Sequence, residues 1–118
     1  MPSDDRPVYL RLRDAIAEAI LEGRFRDGDL LPSVRMLAAE HAANPLTVAK
    51  AYQGFQDDGL VLVRRGVGMF VAAGASERLR IAERARFFEA VWPRVRAQMR
   101  RLDIRVADLA ERDEHQPG

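Results

Sequence analysis

The chain has 118 residues, no cysteine, and 19 basic against 18 acidic side chains, a formal charge of +1. That length suits about one domain of ~100–150 residues with an appendage and leaves little room for a deep-pocketed enzyme, while the missing thiols exclude disulfides and point to a reducing compartment. No apolar run approaches the ~20 residues of a membrane span, and the N-terminal MPSDDRPVYL lacks a basic segment followed by an apolar one, so no membrane association and a cytoplasmic location are expected.

Tyr9, Leu12, Ile16, Ala19 and Ile20 recur at helical spacing behind Pro7, and Gly23 is placed to end the run. They predict a first helix over residues 8–22. RFRDGDLLP comes next as a turn-rich connection, broken by Asp27, Gly28, Asp29 and Pro32. Ser33 is the expected N-cap of a second helix over residues 34–41. Only Ala42-Ala43 separates it from Asn44-Pro45, a cap followed by a proline at the first helical position, which starts a third helix over residues 45–58. Two helices joined by so short a link, the first of them brief, are what a helix-turn-helix requires.

On the third helix Val48, Ala51, Tyr52 and Phe55 form a stripe that must pack inward. Leu46, Thr47, Ala49, Lys50, Gln53 and Gly54 are left outward, with no carboxylate before Asp57, so this face can approach phosphates and base edges without repulsion. Thr47 and Gln53 suit base contacts, Leu46 a thymine methyl, and Lys50 a phosphate or guanine edge. The plain alternative is a solvated face on a structural helix. Gly59 ends the helix, residues 60–63 are a β-prone run, residues 64–68 (RRGVG) the turn and residues 69–72 the return strand. Paired glycines beside Arg64 and Arg65 bring backbone and charge close to a sugar-phosphate wall, although a charged turn guarding a sheet edge has the same composition.

A division at Ala73 leaves nine basic against ten acidic residues before it and ten against eight after it. The basic excess is therefore not in the helix-turn-helix part, and any affinity for nucleic acid must come from local placement of Arg35, Lys50, Arg64 and Arg65. In residues 74–118, Ile81, Ala85, Phe88, Trp92, Val95, Met99 and Leu102 alternate spacings of four and three, a seam that one short helix cannot bury. Pro93 predicts a kink or break near Trp92, and Leu102-Asp103-Ile104 another turn before a last short helix over residues 106–112.

Residues 7–72 resemble the N-terminal winged helix of GntR-family bacterial transcription regulators. The resemblance rests on LPSVR at 31–35, NPLTVAKAY at 44–52, DGLV at 58–61 and RRGVGMFV at 64–71, in order and at the family's spacings. It implies a mainly α fold with a small β-hairpin: a winged helix-turn-helix over residues 1–73 and a helical dimerisation tail over 74–118, similar to the YtrA-like subfamily. It further implies a dimeric repressor that binds double-stranded DNA at an inverted repeat through the recognition helix 45–58 and the wing 61–72. Ser33 and Arg35 then hold backbone phosphates, Asn44, Leu46, Thr47 and Lys50 face the major groove, and Arg64, Arg65, Gly66 and Gly68 form the wing. The sequence departs from the family pattern at Met36, where a glutamate is usual and the reciprocal capping box is lost, at Leu46, usually asparagine or another polar residue, and at Gly54, usually a helix former.

The tail seam is expected to form a homodimer interface, with packing on its own winged domain as the alternative. A small-molecule effector is conceivable in that interface among Phe88, Trp92 and Met99, with arginines nearby for an anionic group, against the plainer reading of the stripe as core. No catalytic constellation, cofactor motif or metal set stands out: Gly66-Val67-Gly68 lies in a hairpin and not between strand and helix, and His41 and His115 are far apart in sequence. The rival to a DNA reader is a winged helix that binds a protein partner.

Overall fold

The computed structural model describes residues 7–114, so His115 lies outside the described residues. The elements are α1 (Val8–Leu21), α2 (Val34–His41), α3 (Pro45–Asp57), β1 (Val61–Arg64), β2 (Gly68–Val71), α4 (Ala75–Arg86), a π-helical segment (Phe87–Val91), α5 (Trp92–Arg101) and α6 (Val106–Glu114). They form two compact units, residues 1–80 and 81–118. The start of α4 belongs to the first unit because Ala75 and Leu79 are part of its core.

That core is built from the stripes expected of the sequence. Leu12, Ile16 and Ile20 of α1 meet Leu37 and Ala38 of α2 and Val48, Ala51, Tyr52 and Phe55 of α3, and Val61 and Val71 close it from the hairpin. Burying a side chain of this size contributes about 1.5–3 kcal/mol, so α3 is held by its inward face and not by helix propensity.

The hairpin is a winged helix's wing with one correction to its bounds. Val61 pairs with Val71, Leu62 with Phe70, Val63 with Met69 and Arg64 with Gly68. Arg64 and Gly68 are thus the last paired residues, and the turn proper is Arg65-Gly66-Val67, closed by Val67 N–H donating to the Arg64 carbonyl at 2.9 Å. The α1–α2 connection adds a third short partner, with Leu30 bridged antiparallel to Phe70 and Leu31 N–H donating to the Met69 carbonyl at 2.8 Å.

Helices α1, α2, α3 and α5 all end on a left-handed residue whose successor's N–H reaches back five residues. The pairs are Arg24 to Ala19, Ala43 to Ala38, Leu60 to Phe55 and Ile104 to Met99, at 2.8–2.9 Å. Gly23 and Gly59 serve the first and third, as expected; Ala42 (φ 50°) and Asp103 (φ 55°) serve the others.

In the second unit the kink expected at Trp92 takes the form of a π-helical segment. Pro93 has no N–H to offer the carbonyl four residues back, and its ring would collide with it. The backbone answers by widening a turn: Trp92 N–H bonds the Phe87 carbonyl, five residues back. One extra residue in that turn rotates residues 92–102 about the helix axis relative to residues 81–88, and the two stretches no longer share a strict seven-residue phase. Beyond Asp103, Asp108 fixes the start of α6 by accepting Arg105 N–H at 2.8 Å.

Candidate nucleic-acid interface

The two helix starts of the helix-turn-helix are capped by the residues named for phosphate and groove contact. Ser33 Oγ accepts Met36 N–H at 3.1 Å, and Asn44 Oδ1 accepts Leu46 N–H at 2.8 Å. Each cap spends an acceptor on its own helix and keeps donors: the Ser33 hydroxyl hydrogen and the Asn44 amide N–H groups. Both residues are exposed. Two caps with free donors at helix N-termini, where the helix dipole is positive, suit anionic phosphate oxygens or acceptor-rich base edges. Tyr52 fixes the start of α2 from α3: its hydroxyl donates to the carbonyl of Pro32, the residue before the cap, at 2.7 Å.

Arg35, Leu46 and Lys50 are exposed and Thr47 partly so, all on the outward surfaces expected of them. Leu46 is 79% exposed, the most open large apolar side chain among the described residues. Lys50 Nζ sits 4.6 Å from the centre of the Tyr9 ring, which steadies the ammonium without discharging it. Gln53 is also exposed; its Nε2 donates to Asp57 Oδ1 at 2.9 Å, which leaves its second N–H and its carbonyl oxygen.

On the wing, the Arg64 guanidinium lies 5.1 Å from the Phe70 ring centre, while Arg65 occupies the exposed turn. Gly66 has φ 79° and Gly68 φ 145°. At Gly68 an added Cβ would stand 2.9 Å from Leu30 Cδ1; that methyl can rotate away, but the backbone angle itself suits only glycine.

In the second unit Ile81, Phe88 and Leu102 are each more than half exposed, Ala85 is exposed, and Trp92 and Val95 are intermediate. Met99 alone of the seam is buried, at 8%. Of the three residues named for an effector, only Phe88 and Trp92 are open to one. Phe87 and Val91, the first and last residues of the π-helical segment and outside the expected seam, add to the exposed apolar surface.

Sequence reasoning missed Asp27 and Ser76. Asp27 reads as a loop breaker, yet its carboxylate accepts Gly74 N–H at 2.8 Å and both Ser76 N–H and Ser76 Oγ–H, at 3.2 and 2.8 Å. The Ser76 hydroxyl first, then the Ser76 and Gly74 amides, hold this carboxyl below the usual carboxylate range. The available signal was Gly74, a side-chain-less residue at a helix start, which leaves the capping acceptor to come from elsewhere. Among the described residues no group of three or more metal-ligating side chains is assembled, and no helix is long and apolar enough to cross a membrane.

Comparison with known proteins gives a family and a fold. The family described as bacterial regulatory proteins, gntR family, matches residues 8–71, more than half of the 118. The HTH-type transcriptional repressor YtrA of Bacillus subtilis is 37% identical over 78 residues, 66% of this chain and 60% of its own length. A solved GntR family transcriptional regulator from Listeria monocytogenes has the same fold, with a TM-score of 0.74 over 98% of this chain and 99% of that one at 24% identity. YtrA from Sulfolobus acidocaldarius, a GntR-family transcription factor, is 34% identical with a TM-score of 0.55 over 70% of this chain and 89% of its own.

Proposed function

The chain belongs to the gntR family of bacterial regulatory proteins, and on that premise we propose that it is a dimeric transcription repressor that occupies an inverted-repeat operator. The observation that carries the reading is the pair of exposed caps with donors to spare, Ser33 and Asn44, flanking an outward α3 face without carboxylates up to Lys50. Ser33 and Arg35 hold backbone phosphates. Asn44, Leu46, Thr47 and Lys50 enter the major groove, where the Asn44 amide N–H groups can donate to acceptors such as guanine O6 or adenine N7. Arg65 and Gly66 lead the wing toward the adjacent backbone, with Arg64 and Gly68 at its base.

Dimerisation accounts for the apolar side chains left open in the second unit. Ile81, Phe88 and Leu102 need a cover, and a second copy supplies one while presenting two readers to major-groove faces about one helical turn apart. The reading assigns no catalytic role and places the protein in the cytoplasm with the DNA. Any effector acts at the same interface, against Phe88 and Trp92.

A footprint on the promoter fragment upstream of the protein's own gene tests the proposal. Protection of two inverted half-sites about 10 base pairs apart, centre to centre, is expected. Failure to retard that fragment or any duplex from a random pool would sink it and favour a winged helix that binds protein.

A further inference from the structure

We infer that Leu46 is a specificity residue that reads the 5-methyl group of a pyrimidine, so that each half-site holds one position where thymine is favoured over uracil and 5-methylcytosine over cytosine. The inference rests on the reading of the chain as an operator binder and narrows what its α3 face recognises.

Leu46 follows Asn44-Pro45 as the second residue of α3. It is 79% exposed, more than any other large apolar side chain among the described residues, and is not one of the side chains packed on the core. Its backbone is nevertheless fixed, because its N–H donates to Asn44 Oδ1 at 2.8 Å. An isobutyl group held out in this way has no donor and no acceptor, so it gains nothing from a phosphate and cannot hydrogen-bond a base. The first residues of a helix-turn-helix recognition helix are the ones that meet base edges. In the major groove those edges present acceptors, donors and one apolar group, the C5 methyl of thymine. Leu46 and that methyl shed water from apolar surface when they meet, a gain that a C5–H edge does not provide.

The surroundings of Leu46 define the complementary edge further. Lys50 lies one turn along the same face of α3, with its Nζ 4.6 Å from the centre of the Tyr9 ring. Asn44, on the other side in the chain, keeps its amide N–H groups while its oxygen caps the helix. Leu46 is thus an apolar point between donors, and its match is a pyrimidine methyl beside purine acceptors. A methyl on cytosine C5 occupies the place of the thymine methyl, so the same contact makes affinity respond to cytosine methylation at that position.

The test uses duplexes selected by the wild-type protein from a random pool. Each thymine of a half-site is replaced in turn by uracil, which removes the methyl and keeps the pairing. At one position wild type should lose about fourfold in affinity per half-site, the gain from burying one methylene-sized group. With cytosine placed at that position, 5-methylation should raise affinity by about the same factor. Leu46→Ala, at an exposed position, should bind the thymine and uracil duplexes equally within about 1.5-fold, since its side chain is too short to cover the methyl. A methyl preference that persists in Leu46→Ala would belong to another group or to duplex shape and would overturn the inference. So would a half-site that holds no thymine, one in which wild type tolerates every uracil, or one where methylated cytosine gains nothing. The operator reading survives each of these results. Failure of wild type to select any duplex would overturn that reading and the inference together.

Discussion

Ala42 and Tyr52 show how single residues hold the helix-turn-helix to its geometry. Ala42 turns the chain between α2 and α3 at φ 50°, a left-handed conformation that costs a residue with a Cβ about 1–2 kcal/mol. Glycine removes that strain but adds about 0.5–1 kcal/mol of unfolded-state entropy. Ala42→Gly is therefore expected to raise stability by about 0.5 kcal/mol in urea denaturation, and Ala42→Val to lower it by about 1–2 kcal/mol. Tyr52 is buried with its hydroxyl on the Pro32 carbonyl. Burial first, then the charge of Glu40, pushes its pKa up to about 12. Because the folded value lies above the unfolded one of about 10, the fold favours the neutral phenol. That contribution is complete below about pH 10 and is lost as pH rises through about 12. Tyr52→Phe should cost about 1 kcal/mol near pH 7, and the gap to wild type should shrink between about pH 10 and 12.

At the scale of elements, α3 carries a weakness that function does not visibly require. Gly54 is in the middle of the helix, and an added Cβ would meet nothing within 4 Å. Gly54→Ala should raise stability by about 0.5–1 kcal/mol, seen as a higher Tm; a lower Tm would mean that the site is tighter than its surroundings indicate. Much of this level was legible in the sequence. Ser33 and Asn44-Pro45 mark their helix starts because capping is local chemistry, and Val48, Ala51, Tyr52 and Phe55 mark the buried stripe because helical periodicity is local geometry. What the sequence hid is long-range or cumulative. The Arg64–Gly68 pairing depends on strand register, which a β-prone run leaves open by a residue. The Leu30 bridge and the Asp27 cap join positions 40 or more residues apart. Pro93 announced a disturbance, but whether a helix breaks, bends or widens there depends on the carbonyl it would otherwise strike. The Gln53–Asp57 bond depends on the rotamers of two exposed side chains, which the sequence leaves open.

For the whole molecule, the open apolar surface of the second unit and the near-neutral charge of the first make separate demands. Phe88 is 53% exposed, so Phe88→Glu should leave the monomer's stability almost unchanged while abolishing dimers in sedimentation. Operator affinity should then fall toward that of a single half-site, a loss on the order of 100-fold. With a charge of +1, the proposed attraction to DNA must come from a few placed cations and not from a basic whole. The measurement that bears most directly on the central claim is the salt dependence of binding to the selected operator, for wild type, Lys50→Ala and Arg65→Ala. Log affinity should fall steeply and linearly with log salt, and each substitution should make the slope shallower by about 0.9 per protomer, or about 1.8 for the dimer. A flat dependence in wild type, or slopes that neither substitution changes, would contradict a reader that grips the backbone through α3 and the wing.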